Sequence, residues 1–309
     1  MTLDEATAGF LAQMAESGAK PLHEMTPAEA RALTAGLGEL FGPGPDMARV
    51  DNTTVDGAFP VRVLVPHGEP RGVIVWYHGG GWVIGTIDEA DTLGRTLAER
   101  TACAVVLVDY RLAPEHRYPT AAEDSWAALR WVDSNIDDIA GSRVPIIVAG
   151  DSAGGNLSAV VAQRAKREGG PEVALQVLVY PVTDCDLTRS SYVAPDNQLL
   201  LSRDAMIWFW DLYAPDPESR RNVDASPMRE PDLSGLAPAV VLTAEHDPLR
   251  DEGEAYAARL SEAGVPVRHR RFDGQMHAFF TLVNVLPGSA EGIDYVVAAV
   301  NDSLSAHRP

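Results

Sequence analysis

Residues 150–156 have the sequence Gly-Asp-Ser-Ala-Gly-Gly-Asn, and this stretch decides the fold class. An apolar run of strand length, Pro145–Gly150, comes directly before it, and a stretch with helical spacing, Gly155–Glu168, follows. A G-x-S-x-G pattern between a strand and a helix is typical of a sharp turn that raises the serine hydroxyl above the edge of a parallel sheet. The flanking glycines allow the backbone to fold tightly. The pattern therefore predicts an α/β fold and makes Ser152 a candidate nucleophile.

Short apolar runs alternate with stretches at helical spacing along the rest of the chain. Apolar runs separated by helices indicate a mostly parallel sheet with helices on both faces. In such a sheet, functional residues gather beyond the carboxyl ends of the strands. The other predicted strands are Val61–Pro66, Val73–His78, Ala104–Asp109, Ala174–Tyr180, Ala239–Ala244 and Pro266–Phe272, and the other predicted helices lie near Asp88–Thr101, Ala121–Asp138, Arg250–Ala263 and Ala290–Ala306.

Two regions depart from this alternation, and we predict that they form a helical cap over the carboxyl edge of the sheet. Residues 1–45 contain two predicted amphipathic helices before the first strand. Residues 184–235 are a long insertion with an aromatic cluster, and insertions of this length are often lids. Residues 46–183 and 236–309 then make up the predicted catalytic core.

A glycine-rich loop follows the predicted strand that ends at His78. Residues 78–82 read His-Gly-Gly-Gly-Trp, and glycines let a backbone come close to a bound oxygen atom. Backbone N–H groups aimed at a developing oxyanion lower the barrier to acyl transfer. We predict that the N–H groups of Gly79 and Gly80 form this oxyanion hole together with that of Ala153. His78 itself is expected to hold the loop in place.

A nucleophilic serine needs a base, and the base needs an acid that orients it. After a G-x-S-x-G turn the expected chain order is Ser, then Asp or Glu, then His, each beyond a strand end. Asp247 lies in the loop after one predicted strand, and His277 lies in the loop after the next. Asp251 begins a helix and is expected to support the site or to replace Asp247 as the acid. The predicted catalytic residues are Ser152, Asp247 and His277.

The composition excludes several classes of function. The chain has 25 basic and 44 acidic residues, a formal net charge of −19, so a nucleic-acid partner is not expected. The same charge favours neutral or cationic substrates. No metal-ligand spacing or phosphate-binding loop occurs, which predicts no metal and no cofactor. The acidic N-terminus is unlike a secretory signal, and no apolar window is long enough for a membrane span, so a cytoplasmic location is expected.

The motifs together closely resemble those of the hormone-sensitive-lipase-type esterases of microbes, often called family IV, within the α/β-hydrolase superfamily. The resemblance implies an eight-stranded core with a helical cap, and hydrolysis of short- to medium-chain acyl esters without a cofactor. It implies the same triad and oxyanion hole as the residue patterns do. Many relatives dimerise through their last strand, here Pro266–Phe272, so a homodimer is a further expectation. The matching stretches are HGGGW at 78–82, DYRLAPEHRYP at 109–119, GDSAGGN at 150–156, YP at 180–181, DPLRDEG at 247–253 and GQMHAF at 274–279.

Two other functions remain open at this point. Plant gibberellin receptors look like this family and bind a ligand without catalysis, but they lack the catalytic histidine that His277 supplies here. The same triad could also cleave an amide or a thioester. Trp82, Trp208 and Phe279 are candidate substrate contacts near the predicted entrance, and packing of the aromatic side chains onto the core explains their presence equally well.

Overall fold

A single eight-stranded sheet forms the centre of the described structure. The computed structural model describes residues 2–18 and 20–306, so the outermost residues of the first and last predicted segments lie outside it. Across the sheet the strand order is β1-β2-β4-β3-β5-β6-β7-β8, in which β2 runs antiparallel to its neighbours and the remaining neighbouring pairs are parallel. The prediction of a mostly parallel α/β-hydrolase sheet is confirmed. In chain order the strands are β1 (Arg49–Val55), β2 (Phe59–Val65), β3 (Val73–Tyr77), β4 (Ala104–Val108), β5 (Ile146–Asp151), β6 (Val173–Val179), β7 (Ala239–His246) and β8 (Val267–Met276).

The central strands β3 and β4 are apolar throughout because both faces of the sheet are covered. Along β3, Val73, Val75 and Tyr77 belong to one buried cluster, whereas Ile74 and Trp76 belong to another on the opposite face. This alternation follows from the two-residue period of a strand. The first cluster includes residues of α4 (Thr120–Ser134), α5 (Ile136–Ala140) and α6 (Ala153–Glu168), the second includes residues of α3 (Asp91–Thr101) and α10 (Pro287–Ala306), and α9 (Arg250–Glu262) packs beside β7.

The strand that the sequence analysis missed is β1. Its residues, RVDNTTV, are mostly polar and exposed, so neither an apolar run nor a clean alternation marks it. Backbone pairing with β2, from Arg49 opposite Val65 to Val55 opposite Phe59, makes it a strand. The structure also divides one predicted helix into α4 and α5, because Asn135 between them has a non-helical φ of −112°.

Of the two segments predicted as a cap, the N-terminal one is mostly helical and the insertion is helical only in part. The N-terminal segment contains α1 (Glu5–Glu16) and α2 (Pro27–Gly38), and the insertion contains α7 (Ser190–Val193) and α8 (Arg203–Tyr213). Both contribute side chains to the wall of one cavity, which is described below. Their assignment as a separate cap stays a prediction. Among the helices of residues 2–18 and 20–306, none combines the length and apolar character of a transmembrane span.

One arginine of α2 connects the N-terminal segment to the core. Arg31 donates from Nε to the carbonyl of Val83 and from Nη2 to the carbonyl of Ala113, both at 2.9 Å. Its guanidinium also pairs with the Glu115 carboxylate at 2.7 Å. These bonds fix α2 against the loops that follow β3 and β4.

Candidate active site

Ser152 lies in a strained turn between β5 and α6. Its φ of 55° and ψ of −116° are unusual for a residue with a side chain, and such a conformation costs about 1–3 kcal/mol. The turn is held by a bond from Ser152 N–H to the carbonyl of Val179 at 2.9 Å. A Cβ at Gly150 or Gly154 would lie 2.4 or 1.8 Å from the carbonyl oxygen of Tyr77, so only glycine fits on either side. The predicted strand–turn–helix geometry is present.

Three side chains that are far apart in the sequence form one hydrogen-bonded line. His277 Nε2 lies 3.1 Å from Ser152 Oγ, and His277 Nδ1 lies 2.7 Å from Asp247 Oδ2. Asp247 follows β7 directly and is fully buried, and its other oxygen accepts the N–H of Leu249 at 2.8 Å. His277 follows β8 directly. This triad-like arrangement allows the imidazole to take a proton from the serine while the carboxylate stabilises the resulting imidazolium.

The glycine-rich loop requires a correction to the predicted oxyanion hole. The N–H of Gly79 already donates to Asp151 Oδ1 at 3.0 Å, so it is not free to bind a substrate oxygen. In the described ranges of the chain, no acceptor bonds the N–H groups of Gly80 or Gly81, and both residues border the cavity beside Ser152. Ala153 is the first residue of α6, where helical N–H groups have no partner within the helix. The N–H groups that remain available beside Ser152 are those of Gly80, Gly81 and Ala153, and the sequence analysis did not name Gly81.

Asp151 is the acceptor that binds the Gly79 N–H, and the sequence analysis did not single it out. Its carboxylate is buried between Ser152 and the glycine-rich loop, and a Cβ at Gly79 would lie 2.2 Å from its Oδ2. Burial raises the pKa of Asp151 to about 6, although the charge of His277 and the N–H of Gly79 act in the opposite direction. The Asp in the G-D-S motif was the signal that could have identified this bond, because a buried carboxylate next to the nucleophile needs a hydrogen-bond donor.

His78 holds the loop, as the sequence analysis predicted. Its Nδ1–H donates to the carbonyl of Gly79 at 2.7 Å, and its ring stacks on Tyr110 with 4.4 Å between the ring centroids. The Tyr110 hydroxyl in turn donates to the carbonyl of His78 at 2.8 Å. Burial lowers the pKa of His78 to about 4, so the ring is neutral at physiological pH.

A cavity of about 530 Å³ opens beside Ser152 and His277. This volume is within the range of small-molecule sites. Most of its wall is apolar, and three parts of the chain contribute to it. The N-terminal segment supplies Leu11, Met14, Leu22 and Leu33, the insertion supplies Leu199, Leu200, Leu201 and Phe209, and the core supplies Trp76, Ile84, Leu93 and Leu282.

The relatives of the chain agree with this geometry. A family model described as alpha/beta hydrolase fold matches residues 74–281. The carboxylesterase NlhH of Mycobacterium tuberculosis is 43% identical over 267 residues, which cover 84% of this chain and 84% of that protein. The chain belongs to the hormone-sensitive-lipase-type esterases of the α/β-hydrolase fold. It is a carboxylic ester hydrolase.

Further members of this esterase family are similar along nearly the whole chain. The ethyl acetate hydrolase of Pseudomonas putida is 35% identical and covers 98% of this chain and 100% of that protein. The ester hydrolase EH1AB1 from the metagenome of Lake Arreo, solved with a bipyridine phosphonate derivative, has a TM-score of 0.92 at 36% identity. That match covers 98% of this chain and 100% of the solved chain.

The structure does not bring the three aromatic candidates of this esterase to the cavity wall. Trp82 is fully buried and stacks on Tyr213 with 4.3 Å between the ring centroids. Phe279 is likewise fully buried, among other aromatic rings. Trp208 packs against Phe209, and the latter residue borders the cavity. The orientation of α8 on the core therefore places Phe209, and not Trp208, at the cavity wall.

The second acid considered for this esterase supports the insertion. Asp251 Oδ2 accepts the N–H of Ser191 at 2.8 Å, and Ser191 Oγ donates to the carbonyl of Pro248 at 2.6 Å. Asn197 Nδ2 donates to the carbonyl of Asp247 at 3.2 Å. The insertion is thereby bonded to the loop that presents Asp247. Within residues 2–18 and 20–306, no three His, Cys, Asp or Glu side chains are grouped as metal ligands would be.

Proposed function

We propose that this carboxylesterase hydrolyses short- to medium-chain acyl esters through a covalent acyl-enzyme on Ser152. The observation that carries the proposal is the position of His277, which is within hydrogen-bonding distance of both Ser152 Oγ and Asp247 Oδ2. Ser152 Oγ attacks the ester carbonyl while His277 takes its proton, and the alcohol leaves with that proton. Water then attacks the acyl-enzyme through the same groups, and the acid is released.

The N–H groups of Gly80, Gly81 and Ala153 stabilise the oxyanion in this mechanism. They surround the serine, and the Asp151 carboxylate holds the neighbouring Gly79 N–H away from the substrate. Preorganised donors of this kind contribute roughly 100- to 1000-fold each to turnover. Asp247 fixes the imidazole so that Nδ1–H points to the acid and Nε2 is free to accept the serine proton.

The size of the cavity supports short to medium acyl chains. A volume of about 530 Å³ with a mostly apolar wall accommodates an acyl chain but not a large lipid. The relative named as an ethyl acetate hydrolase supports the lower end of this range. In a series of p-nitrophenyl esters from acetate to laurate, we expect kcat/KM to be highest below the ten-carbon chain.

The decisive experiment compares two acids that follow the same strand. Asp247→Asn should lower kcat for p-nitrophenyl butyrate by roughly 1000-fold or more, because the imidazole loses its orienting partner. Asp251→Asn is the matched control and should retain kcat within about tenfold, because Asp251 bonds Ser191 of the insertion and Arg250 rather than His277. Wild-type turnover in Asp247→Asn would contradict the proposed triad.

A fluorophosphonate tests the nucleophile independently of the substrate. Mass spectrometry should show one adduct on Ser152 in the wild type and none in Ser152→Ala. A non-catalytic receptor would not react at Ser152, and parallel amide and thioester substrates would show whether other acyl bonds are cleaved. An unlabelled Ser152 in folded wild-type protein would contradict the proposal.

A further inference from the structure

One carboxylate in the wall of the active-site cavity has no cationic partner in the described part of the chain. Glu89 lies just before α3, and its half-buried side chain borders the cavity together with Thr34 and Thr86. Its Oε1 accepts a long bond of 3.4 Å from Thr86 Oγ1, and the Thr34 hydroxyl also bonds to this carboxylate. Both donors are neutral hydroxyls, so they give weaker bonds than a cationic donor would.

The neighbouring arginines do not neutralise Glu89 because they are bonded to other carboxylates. Asp88 and Asp109 face Glu89 as further negative charges, and both act to raise its pKa. The local balance of charge therefore favours a cation. The ion pairs that these arginines form are Arg31 with Glu115, Arg62 with Asp88 and Asp91, and Arg95 with Asp91.

Lys20 also borders the cavity, but it belongs to its outer rim. Its side chain is exposed. The pKa of Glu29 is lowered by hydrogen bonds from Thr26 and, to a smaller degree, by the charge of Lys20, which places Lys20 near Glu29. Glu89, in contrast, is half-buried and borders the cavity together with Gly85.

We propose that Glu89 makes this esterase select substrates that carry a cationic group at the end remote from the ester bond. The inference rests on the proposed function, because it assigns a specificity residue to the same cavity. A cation in the cavity would meet an unpaired carboxylate in a partly apolar wall, where charge pairs are stronger than in water. The net charge of −19 also raises the local concentration of cationic substrates.

The protonation of Glu89 gives this selectivity a direction with pH. Burial raises the pKa of Glu89 to about 7, with Asp88 and Asp109 adding to the effect. Below pH 7 the carboxyl is therefore mainly neutral, and above it the carboxylate is charged. Preference for a cation should rise between pH 6 and 8. The other titratable or charged groups around this cavity and turn are Lys20, Arg62, His78, Asp151 and His277.

Two esters of equal shape separate charge from size. One is p-nitrophenyl 6-(trimethylammonio)hexanoate, and the other is p-nitrophenyl 7,7-dimethyloctanoate, in which carbon replaces the cationic nitrogen. The ratio of their kcat/KM values is measured, so effects on the serine and histidine cancel. A second pair, 6-(trimethylammonio)hexyl hexanoate and 7,7-dimethyloctyl hexanoate, places the cation on the alcohol side.

Glu89→Gln should lower the ratio of cationic to neutral ester by roughly five- to tenfold in at least one pair, with turnover of the neutral ester nearly unchanged. In Glu89→Gln the ratio of kcat/KM values should also stay constant between pH 6 and 8, because glutamine does not titrate. The matched control is Asp88→Asn. It removes the same charge at the neighbouring residue, whose carboxylate is exposed and bonded to Arg62. Asp88→Asn should change the ratio by less than about twofold.

The outcomes separate this inference from the proposed function. If the wild type hydrolyses the neutral ester and both pairs keep their ratios in Glu89→Gln, the selectivity is refuted and the esterase mechanism stands. An equal fall in Glu89→Gln and Asp88→Asn would also refute it, because a general field effect would explain both. If neither ester is cleaved and Ser152 resists the fluorophosphonate, the proposed function itself fails.

Discussion

The two carboxylates near Ser152 differ because they accept bonds from different partners. Asp247 accepts from His277 and from a backbone N–H in its own loop, so it orients the base. Asp151 accepts from Gly79 and thereby fixes the glycine-rich loop. Both are buried, and burial raises the pKa of Asp151 because it outweighs the opposing charge of His277 and the bond from Gly79. The two carboxylates therefore have different roles because one lies beside His277 and the other beside the Gly79 amide.

Asp151 should make stability depend on pH. An unfolded aspartate titrates near pH 3.9, whereas the pKa of Asp151 in the folded protein is about 6. The folded state therefore holds this proton more tightly, and its stability falls as pH rises through this window. Asp151→Asn removes the buried charge. The Tm of this variant minus that of the wild type should therefore be at least about 2 °C higher at pH 8 than at pH 5.

Differential scanning calorimetry at both pH values tests this prediction, with Asp88→Asn as a control at an exposed carboxylate. The control should show no comparable change between the two pH values. A Tm difference for Asp151→Asn that is the same at pH 5 and pH 8 would contradict a buried, late-titrating carboxyl at residue 151.

At the scale of elements, α1 is attached to the end of β8, directly before His277. Asp4 caps this helix, since its Oδ1 accepts the N–H groups of Ala6 and Thr7. Its Oδ2 accepts from Gln275 Nε2 at 2.7 Å, and its N–H donates to the carbonyl of Gly274 at 3.1 Å. One residue therefore begins a helix of the cavity wall and joins it to the end of β8.

Asp4→Ala should loosen α1 over the cavity. The lost cap and the lost bond to Gln275 destabilise the helix by about 1 kcal/mol, and the apolar wall around Leu11 and Met14 becomes less ordered. We expect KM for p-nitrophenyl octanoate to rise at least about threefold while kcat for the acetate is unchanged. Steady-state kinetics with both esters measures this, and Glu5→Ala, next in the chain, is the control. An unchanged octanoate KM would show that α1 does not shape the acyl site.

At the scale of the whole molecule, β8 leaves one edge of the sheet unpaired within the described residues. A row of free N–H and C=O groups is a template for pairing with a second copy. Exposed arginines along this edge are bonded within the chain, Arg268 to Asp302 and Arg271 to Glu254, so they do not leave uncompensated charge there. The edge therefore remains available for the homodimer that the family resemblance predicts.

Light scattering coupled to size exclusion tests this expectation. A homodimer should elute with twice the 33.2 kDa mass of one chain. Dissociation on dilution should follow mass action and leave hydrolysis of p-nitrophenyl butyrate intact, because Ser152, Asp247 and His277 come from one chain. A mass of one chain at every concentration up to about 100 μM would contradict dimerisation.

Local pattern was sufficient to predict the fold and the triad-like arrangement. Strand and helix periods are local properties, and all parallel strands place their carboxyl ends at one edge of the sheet. Ser152, Asp247 and His277 each follow such an end, so their meeting could be expected from chain order. The polar strand β1 could not be expected, because only backbone pairing with β2 makes it a strand.

The fold class, the three residues of the triad-like arrangement and the glycine-rich loop beside them could all be predicted from the residue pattern. The folded chain was needed to show which glycine amides are unbonded and which aromatic of α8 borders the cavity. It was also needed to show that Glu89 borders the cavity without a cationic partner among the described residues. The physical reason is that these features depend on side chains from segments far apart in the chain. Asp151 accepts the bond of the Gly79 amide, and the arginines near Glu89 are bonded to other carboxylates. Such competition for partners has no local signature in a sequence.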